Sequence, residues 1–72
     1  MKIIWTRHAE QRQQEWERKR GITRFEVERA ILNPGQVVQG DLNVVVAQAK
    51  RDDGLLRIPC ISTTTGVKIL TV

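Results

Sequence analysis

Three residues of this chain have side chains suited to acid–base chemistry at a negatively charged group. His8 is the only histidine of the sequence, and Arg12 follows it one helical turn later. A neutral imidazole can serve as a general base, while the Arg12 and Arg57 guanidinium groups can stabilise developing negative charge. His8, Arg12 and Arg57 are therefore the candidate catalytic residues. The alternative, favoured by the lack of a third orienting group, is that the His8 ring N–H anchors the first helix to the sheet.

A second set of basic residues has the charge needed to bind nucleic-acid phosphates. The candidate nucleic-acid-binding residues are Arg7, Lys50, Arg51 and Lys68. The alternative is a solvated surface, because acidic residues interleave with the bases of the first two helices. Base stacking has little support, since the chain has no Tyr and we expect Trp5, Trp16 and Phe25 to lie in the core.

The sequence lacks the motifs of the common catalytic and cofactor sites. It has no glycine-rich phosphate loop, no HExxH and no G-x-S-x-G. One histidine and one cysteine cannot form a multi-histidine or cysteine-rich metal site within one chain. We expect no metal and no cofactor, and we expect Cys60, on the core face of a strand, to behave as a small apolar residue.

Length and composition limit the kind of protein. The chain has 72 residues, of which 40% are hydrophobic and 28% charged, with a formal net charge of +4. These fractions are typical of one globular domain, 1–72, and the apolar runs are too short for a membrane span or a signal peptide. We expect a cytoplasmic protein. A core this small gives marginal stability, so a homo-oligomer or a stable partner is expected.

The first half of the sequence predicts one strand and two helices. Residues 2–5 favour a strand, Thr6 can cap a helix over 7–20, and Gly21 is suited to end that helix in the left-handed conformation. Thr23 and Glu26 match a capping box, in which each side chain bonds the backbone amide of the other residue. The second helix is expected to end near residue 33. Its buried stripe should be Val27, Ala30 and Ile31.

The second half changes to the two-residue period of strands. Strands are predicted over 36–39, 42–51, 55–62 and 67–72, with Asp53-Gly54 at the tip of a hairpin. The expected fold is α+β, in the order β-α-α-β-β-β with a meander of three or four antiparallel strands after the helices, and with both helices packed on one face of the sheet.

The predicted register separates the two faces of this sheet. The expected core face consists of Val45, Ala47, Ala49, Leu56, Ile58, Cys60, Leu70 and Val72. The other face mixes apolar and basic residues: Val44, Val46, Gln48, Lys50, Leu55, Arg57, Pro59, Ile61, Val67, Ile69 and Thr71. A partly apolar face that the helices leave uncovered indicates a binding partner.

Four stretches between residues 4 and 41 form a recognisable pattern. They are IWTRHAEQR at 4–12, RGIT at 20–23, AILNP at 30–34 and QVVQGD at 36–41. The pattern resembles a widespread bacterial domain-of-unknown-function family, common in cyanobacteria, with the signature RHAxxR…RGIT…ILNPxxVV. In element order that family is similar to the RelE, ParE and BrnT toxins of toxin–antitoxin pairs.

The resemblance implies a RelE-like toxin that acts on RNA or the ribosome and is neutralised by an antitoxin protein; ParE-like relatives inhibit gyrase instead. His8 and Arg12 match the signature, whereas no family motif fixes Arg57. The first helix is about a turn longer than is common in the family. Relatives usually continue beyond the equivalent of Val72 with an aromatic residue and a basic tail, so a truncated or degenerate toxin is one expectation.

Three functions remain open at this stage, and the sequence does not decide whether the chain is an enzyme. The first is a RelE-like endoribonuclease of a toxin–antitoxin pair. The second is a non-enzymatic protein-binding module whose mixed sheet face docks another chain. The third is an RNA-binding protein without catalytic activity, whose affinity should fall steeply with salt.

Overall fold

The computed structural model describes residues 2–40 and 42–72 and confirms the α+β fold with the expected order of helices and strands. The helices are α1 Arg7–Arg20 and α2 Arg24–Leu32. The strands are β1 Lys2–Trp5, β2 Gln36–Gln39, β3 Val44–Arg51, β4 Gly54–Ser62 and β5 Gly66–Ile69.

The five strands form one sheet in the order β1-β5-β4-β3-β2. Strands β2 to β5 pair antiparallel, as predicted, while β1 pairs parallel with β5 and makes the sheet mixed. Gly66 lies opposite Lys2 in that parallel pair. A Cβ atom at Gly66 would overlap the Lys2 carbonyl group, so the close approach of β1 to β5 requires glycine at this position.

The first helix begins and ends as its sequence predicts. The Thr6 hydroxyl accepts a hydrogen bond from the Ala9 amide at 3.1 Å and donates one to the Ile69 carbonyl at 2.9 Å. It therefore caps α1 and also ties the start of that helix to β5. Gly21 ends α1 in the left-handed conformation, with φ of 69°.

The second helix forms half of the predicted capping box. The Thr23 hydroxyl accepts from the Glu26 amide at 3.1 Å. The Glu26 carboxylate bonds instead to Arg51 at the end of β3, so the reciprocal half does not form. Burial of the α2 stripe is as expected, but Phe25 lies on the opposite side of that helix, is 69% exposed, and is not the core residue that we predicted.

The core lies between the two helices and one face of the sheet. Val27 of α2, Ile58 of β4 and Ile69 of β5 are fully buried in it. The amide of Gln13, buried among these apolar residues, donates to the Ile22 carbonyl at 3.0 Å and to the Glu17 carboxylate at 2.8 Å. These bonds satisfy the buried amide and fix the turn between the helices.

The hairpin of β3 and β4 has a different tip from the predicted one. Arg51 pairs with Gly54, so the turn residues are Asp52 and Asp53. The register differs by two residues from the expected pairing, and a shift of two leaves every side chain on its predicted face. Strand β3 also begins two residues later than predicted, because Leu42 and Asn43 adopt positive φ angles of 50° and 68°.

Strand β5 has the opposite phase from the predicted one. It begins at Gly66 rather than residue 67, and Ile69 is buried under the helices while Lys68 points to the other face. The assignment of Val67 and Ile69 to the outer face was therefore wrong, because a slip of one residue exchanges the two faces of a strand. Val72, beyond the strand, packs against the core as expected.

Candidate binding surface on the open face of the sheet

The sheet face opposite the two helices, here called the open face, has an apolar centre and a basic margin. Its central apolar side chains are partly exposed: Ile4, Val38, Val44, Val46, Pro59 and Ile61. Gln48, which lies opposite Arg57 on the same face, is buried. Its exposed charged side chains are Lys2, Lys50, Arg57 and Lys68. Both helices pack on the other side, and the apolar centre therefore remains accessible.

The charged residues on the strands of the open face are all basic. No Asp or Glu occupies an open-face position on any of the five strands, and none of the four basic residues forms an ion pair with a residue that the structure describes. The strands of this face therefore have four positive charges and no negative one. Such segregation favours an anionic partner.

The four basic residues form two pairs at opposite ends of the face. Lys2 and Lys68 are diagonal neighbours on β1 and β5, and Lys50 and Arg57 are diagonal neighbours on β3 and β4. The register places Lys68 beside Ile61, four residues along β4 from Arg57, which corresponds to about 14 Å. The apolar centre lies between the two pairs.

The structure does not bring the three candidate catalytic residues together. His8 and Arg12 lie on α1, whose buried residue Ala9 packs in the core with Ile58. Arg57 neighbours Ile58 on β4 and points to the opposite face, so the sheet separates it from His8 and Arg12.

The surroundings of the two α1 candidates also differ from the expected ones. The Arg12 guanidinium bonds Glu15 at 3.0 Å and lies 5.5 Å from the centre of the Trp16 ring. His8 is exposed, and its ring bonds no residue of the described chain, so the expected anchor to the sheet does not form. Arg7, a candidate nucleic-acid-binding residue, is exposed beside His8 on the helix side.

Arg51 is positioned for an internal role. It faces the helices, where it bonds the carboxylates of Glu26 and Asp53 and the Arg20 carbonyl. The bond to Glu26, and then the bond to Asp53, raises the pKa of Arg51, and the same Arg51 bond lowers the pKa of the Asp53 carboxyl. Of the four nucleic-acid-binding candidates, Lys50 and Lys68 alone lie on the open face.

Lys2 is the open-face residue that the sequence reasoning missed. Ile3 and Trp5 of the same strand pack against the core, and alternation then places Lys2 and Ile4 on the open face. That alternation was readable in the sequence, but only the pairing of β1 with β5 brings Lys2 next to Lys68.

The two tryptophans are held on the helix side, as expected of core residues. The Trp5 indole donates to Glu28 at 2.7 Å and lies beneath the Arg24 guanidinium, 4.6 Å from the ring centre. The Trp16 indole donates to the Val72 carbonyl at 3.2 Å. The open face therefore has no aromatic side chain on which a nucleic-acid base could stack.

Other kinds of site find little support. Burial raises the pKa of the Cys60 thiol, which opposes the thiolate that a nucleophile needs. Among residues 2–40 and 42–72, no three His, Cys, Asp or Glu side chains are grouped so as to hold a metal ion. Within the same residues, no helix has the length and apolar character to cross a membrane.

Comparisons with protein-family models, with curated proteins and with solved structures give no match to this chain.

Proposed function

We propose that this chain is a non-enzymatic protein-binding module whose open face docks another protein. The observation that carries the proposal is the composition of that face, in which two pairs of basic residues, none in an ion pair with a described residue, lie at the ends of a partly exposed apolar centre. An apolar centre with a charged margin is the usual anatomy of a protein interface. The partner that fits has an apolar patch with acidic residues at its ends.

The spacing of the charges favours a protein over a nucleic acid. A polyanion crossing from Lys68 to Arg57 would lie over the apolar centre for about 14 Å and lose hydration there without gaining a charge partner. Because the open face has no aromatic side chain, base stacking cannot offset this loss of hydration. A protein with matching apolar side chains gains free energy over the same area.

The sequence resemblance suggests a class for this partner. If the chain belongs to the family that the pattern in 4–41 resembles, the docked protein is an antitoxin, and binding at the open face is how the pair assembles. This identification rests on the resemblance alone.

The test is differential capture of partners from the cells that make the protein. The open-face variant is Lys2→Glu/Lys68→Glu, and the matched control is Arg18→Glu/Lys19→Glu, which makes the same charge change at exposed residues of α1. We expect a protein that wild type and control retain and that the open-face variant loses, confirmed by calorimetric titration of the purified pair. Equal loss with both variants, at unchanged circular dichroism, would contradict the proposal.

An RNA-directed toxin is the second candidate, because four basic residues that form no ion pair with the described residues lie on one face of the sheet. In this function the open face binds RNA phosphates and His8 has no part in the reaction, since it lies across the sheet from Arg57. Cleavage of ribosome-bound message by wild type, His8→Ala and Arg57→Ala tests it. Cleavage that only Arg57→Ala reduces would favour this candidate over the protein-binding module.

A further inference from the structure

One half of β4 has no neighbouring strand on the side of β5. The two strands pair from Ser62 to Cys60, and the Leu70 amide then donates to the Pro59 carbonyl at 3.0 Å. Proline has no N–H to return that bond, and β5 ends at Ile69. From residue 54 to residue 58, β4 is therefore an edge of the sheet on this side.

The register shows which backbone groups of this edge are free. A two-residue turn makes Arg51 and Gly54 a hydrogen-bonded pair, so every second residue from Gly54 bonds β3. The alternate residues Leu55 and Arg57 direct their N–H and C=O groups away from β3, as the outward Pro59 carbonyl does. None of these four groups bonds a residue of the described chain. They form a ready template for one more strand.

A groove of about 340 Å³ lies along this edge. Trp16, Ile22, Leu56 and Val72 give it an apolar floor, and Leu55 and Arg57 lie on its β4 side. Arg20 and Arg51 of its lining pair with Asp53, so Arg57 is the lining arginine that forms no ion pair with the described residues. An apolar cleft beside free strand groups suits a peptide that places alternate side chains in the cleft and pairs its backbone with β4.

We propose that this edge binds an extended acidic segment of another protein, which adds to the sheet as a sixth strand beside Leu55 and Arg57. The segment alternates apolar residues, which enter the groove, with carboxylates, which point to the open face and meet Arg57. A second copy of this chain fits poorly, since its own edge from residue 54 to residue 58 would bring a second Arg57 and no carboxylate to the joint. The inference shares Arg57 with the open face but does not require the apolar centre of that face.

The experiment uses ¹⁵N-labelled protein and capped hexapeptides in which Glu alternates with Val or Leu. Each peptide is made in two phases, with Glu at the odd or at the even positions. In the free protein, the amides of Leu55 and Arg57 should exchange with solvent faster than those of Leu56 and Ile58, which bond β3. A saturating peptide should slow exchange at Leu55 and Arg57 by about tenfold or more, as expected for one or two new hydrogen bonds.

Matched peptides and variants test the mode of binding. N-methylation at the peptide residues that pair with β4 should weaken binding about tenfold, whereas methylation at the alternate residues should change it less than about twofold. Lys in place of Glu should also weaken binding, and so should Arg57→Glu but not the exposed control Arg18→Glu.

Three results would overturn the proposal. The first is that neither peptide phase alters exchange at Leu55 and Arg57 at millimolar concentration. The second is slow exchange of these amides in the free protein at every concentration, which would show that the chain covers its own edge. The third is protection that rises with protein concentration, which would identify a second copy as the occupant. If the capture experiment contradicts docking at the open face while a peptide still slows exchange at Leu55 and Arg57, the strand-addition site stands.

Discussion

The two sides of the sheet use charge in opposite ways. On the helix side, Arg51 bonds Glu26 and Asp53, and Arg24 lies between Glu28 and the Trp5 ring. On the open face, no basic residue has an acidic partner among the described residues. Both sides belong to the same strands, so adjacent residues such as Lys50 and Arg51 have different roles. Charges that are paired internally hold the fold, and the unpaired ones are available to a partner.

The apolar residues of the two sides differ in the same way. Ile58 is fully buried beneath the helices, while Ile61, on the same strand, points to the open face and is partly exposed. The first contributes to folding, and the second retains exposed surface that an interface can bury. Substitutions that should affect only one side can therefore test whether the two sides are independent.

The largest expected difference is between Ile58→Ala and Ile61→Ala. Truncation of Ile58 leaves a cavity in the core and should lower the free energy of unfolding by about 2–5 kcal/mol, enough to unfold a small domain partly. Truncation of Ile61 should cost about 1 kcal/mol or less. Urea denaturation followed by tryptophan fluorescence measures both changes. Equal losses would show that the open face is covered in solution, and the contrast between the two sides would fail.

Gly66→Ala should affect both sides together, because β1 contributes Lys2 to one face and Trp5 to the other. The added methyl group overlaps the Lys2 carbonyl, so β1 must move away from β5 at a cost of about 1–3 kcal/mol. Gly35→Ala is the matched control, since a Cβ there meets only the Gln48 carbonyl at 3.5 Å. Hydrogen exchange at β1 amides should accelerate in Gly66→Ala alone; unchanged exchange would contradict the role given to Gly66.

Local signals explain why so much of the fold was predictable. Thr6, Thr23 and Gly21 act on their own helix ends, and their sequence signatures depend only on neighbouring residues. The faces of β3 and β4 were also predictable, because the two-residue period survives the different turn. The alternation of Val44 to Arg51 with Leu55 to Ser62 was sufficient to place Lys50 and Arg57 on the open face.

Features that depend on distant segments were not predictable. The phase of β5 is set by pairing with β1 and β4, and the sequence around Gly66 gave no sign of a parallel partner. The position of Arg51 depends on its ion pair with Glu26 of α2. The sequence pattern had assigned the Glu26 carboxylate to the capping box with Thr23, so this pair was not expected. The free edge of β4 follows from the combination of Pro59 with the end of β5, which no local pattern shows.

The smallest expected effect concerns pH and one carboxylate of the helix side. Arg51 lowers the pKa of Asp53 in the folded protein. Folding therefore stabilises the ionised Asp53 carboxylate relative to its protonated form. Stability from this pair is fully present above the unfolded pKa, near 4, and is lost as the pH falls through the lower folded value. Wild type should therefore lose more stability than Asp53→Asn between about pH 6 and pH 3.

The adjacent Asp52 supplies the control, because it forms no ion pair with the described residues and occupies the same turn. Asp52→Asn should keep the acid sensitivity of wild type, and urea midpoints for the three proteins across this pH range measure the difference. If Asp52→Asn and Asp53→Asn flatten the profile equally, the stabilising contact is not the Arg51 pair, and the division between internal and available charge loses its best-defined example.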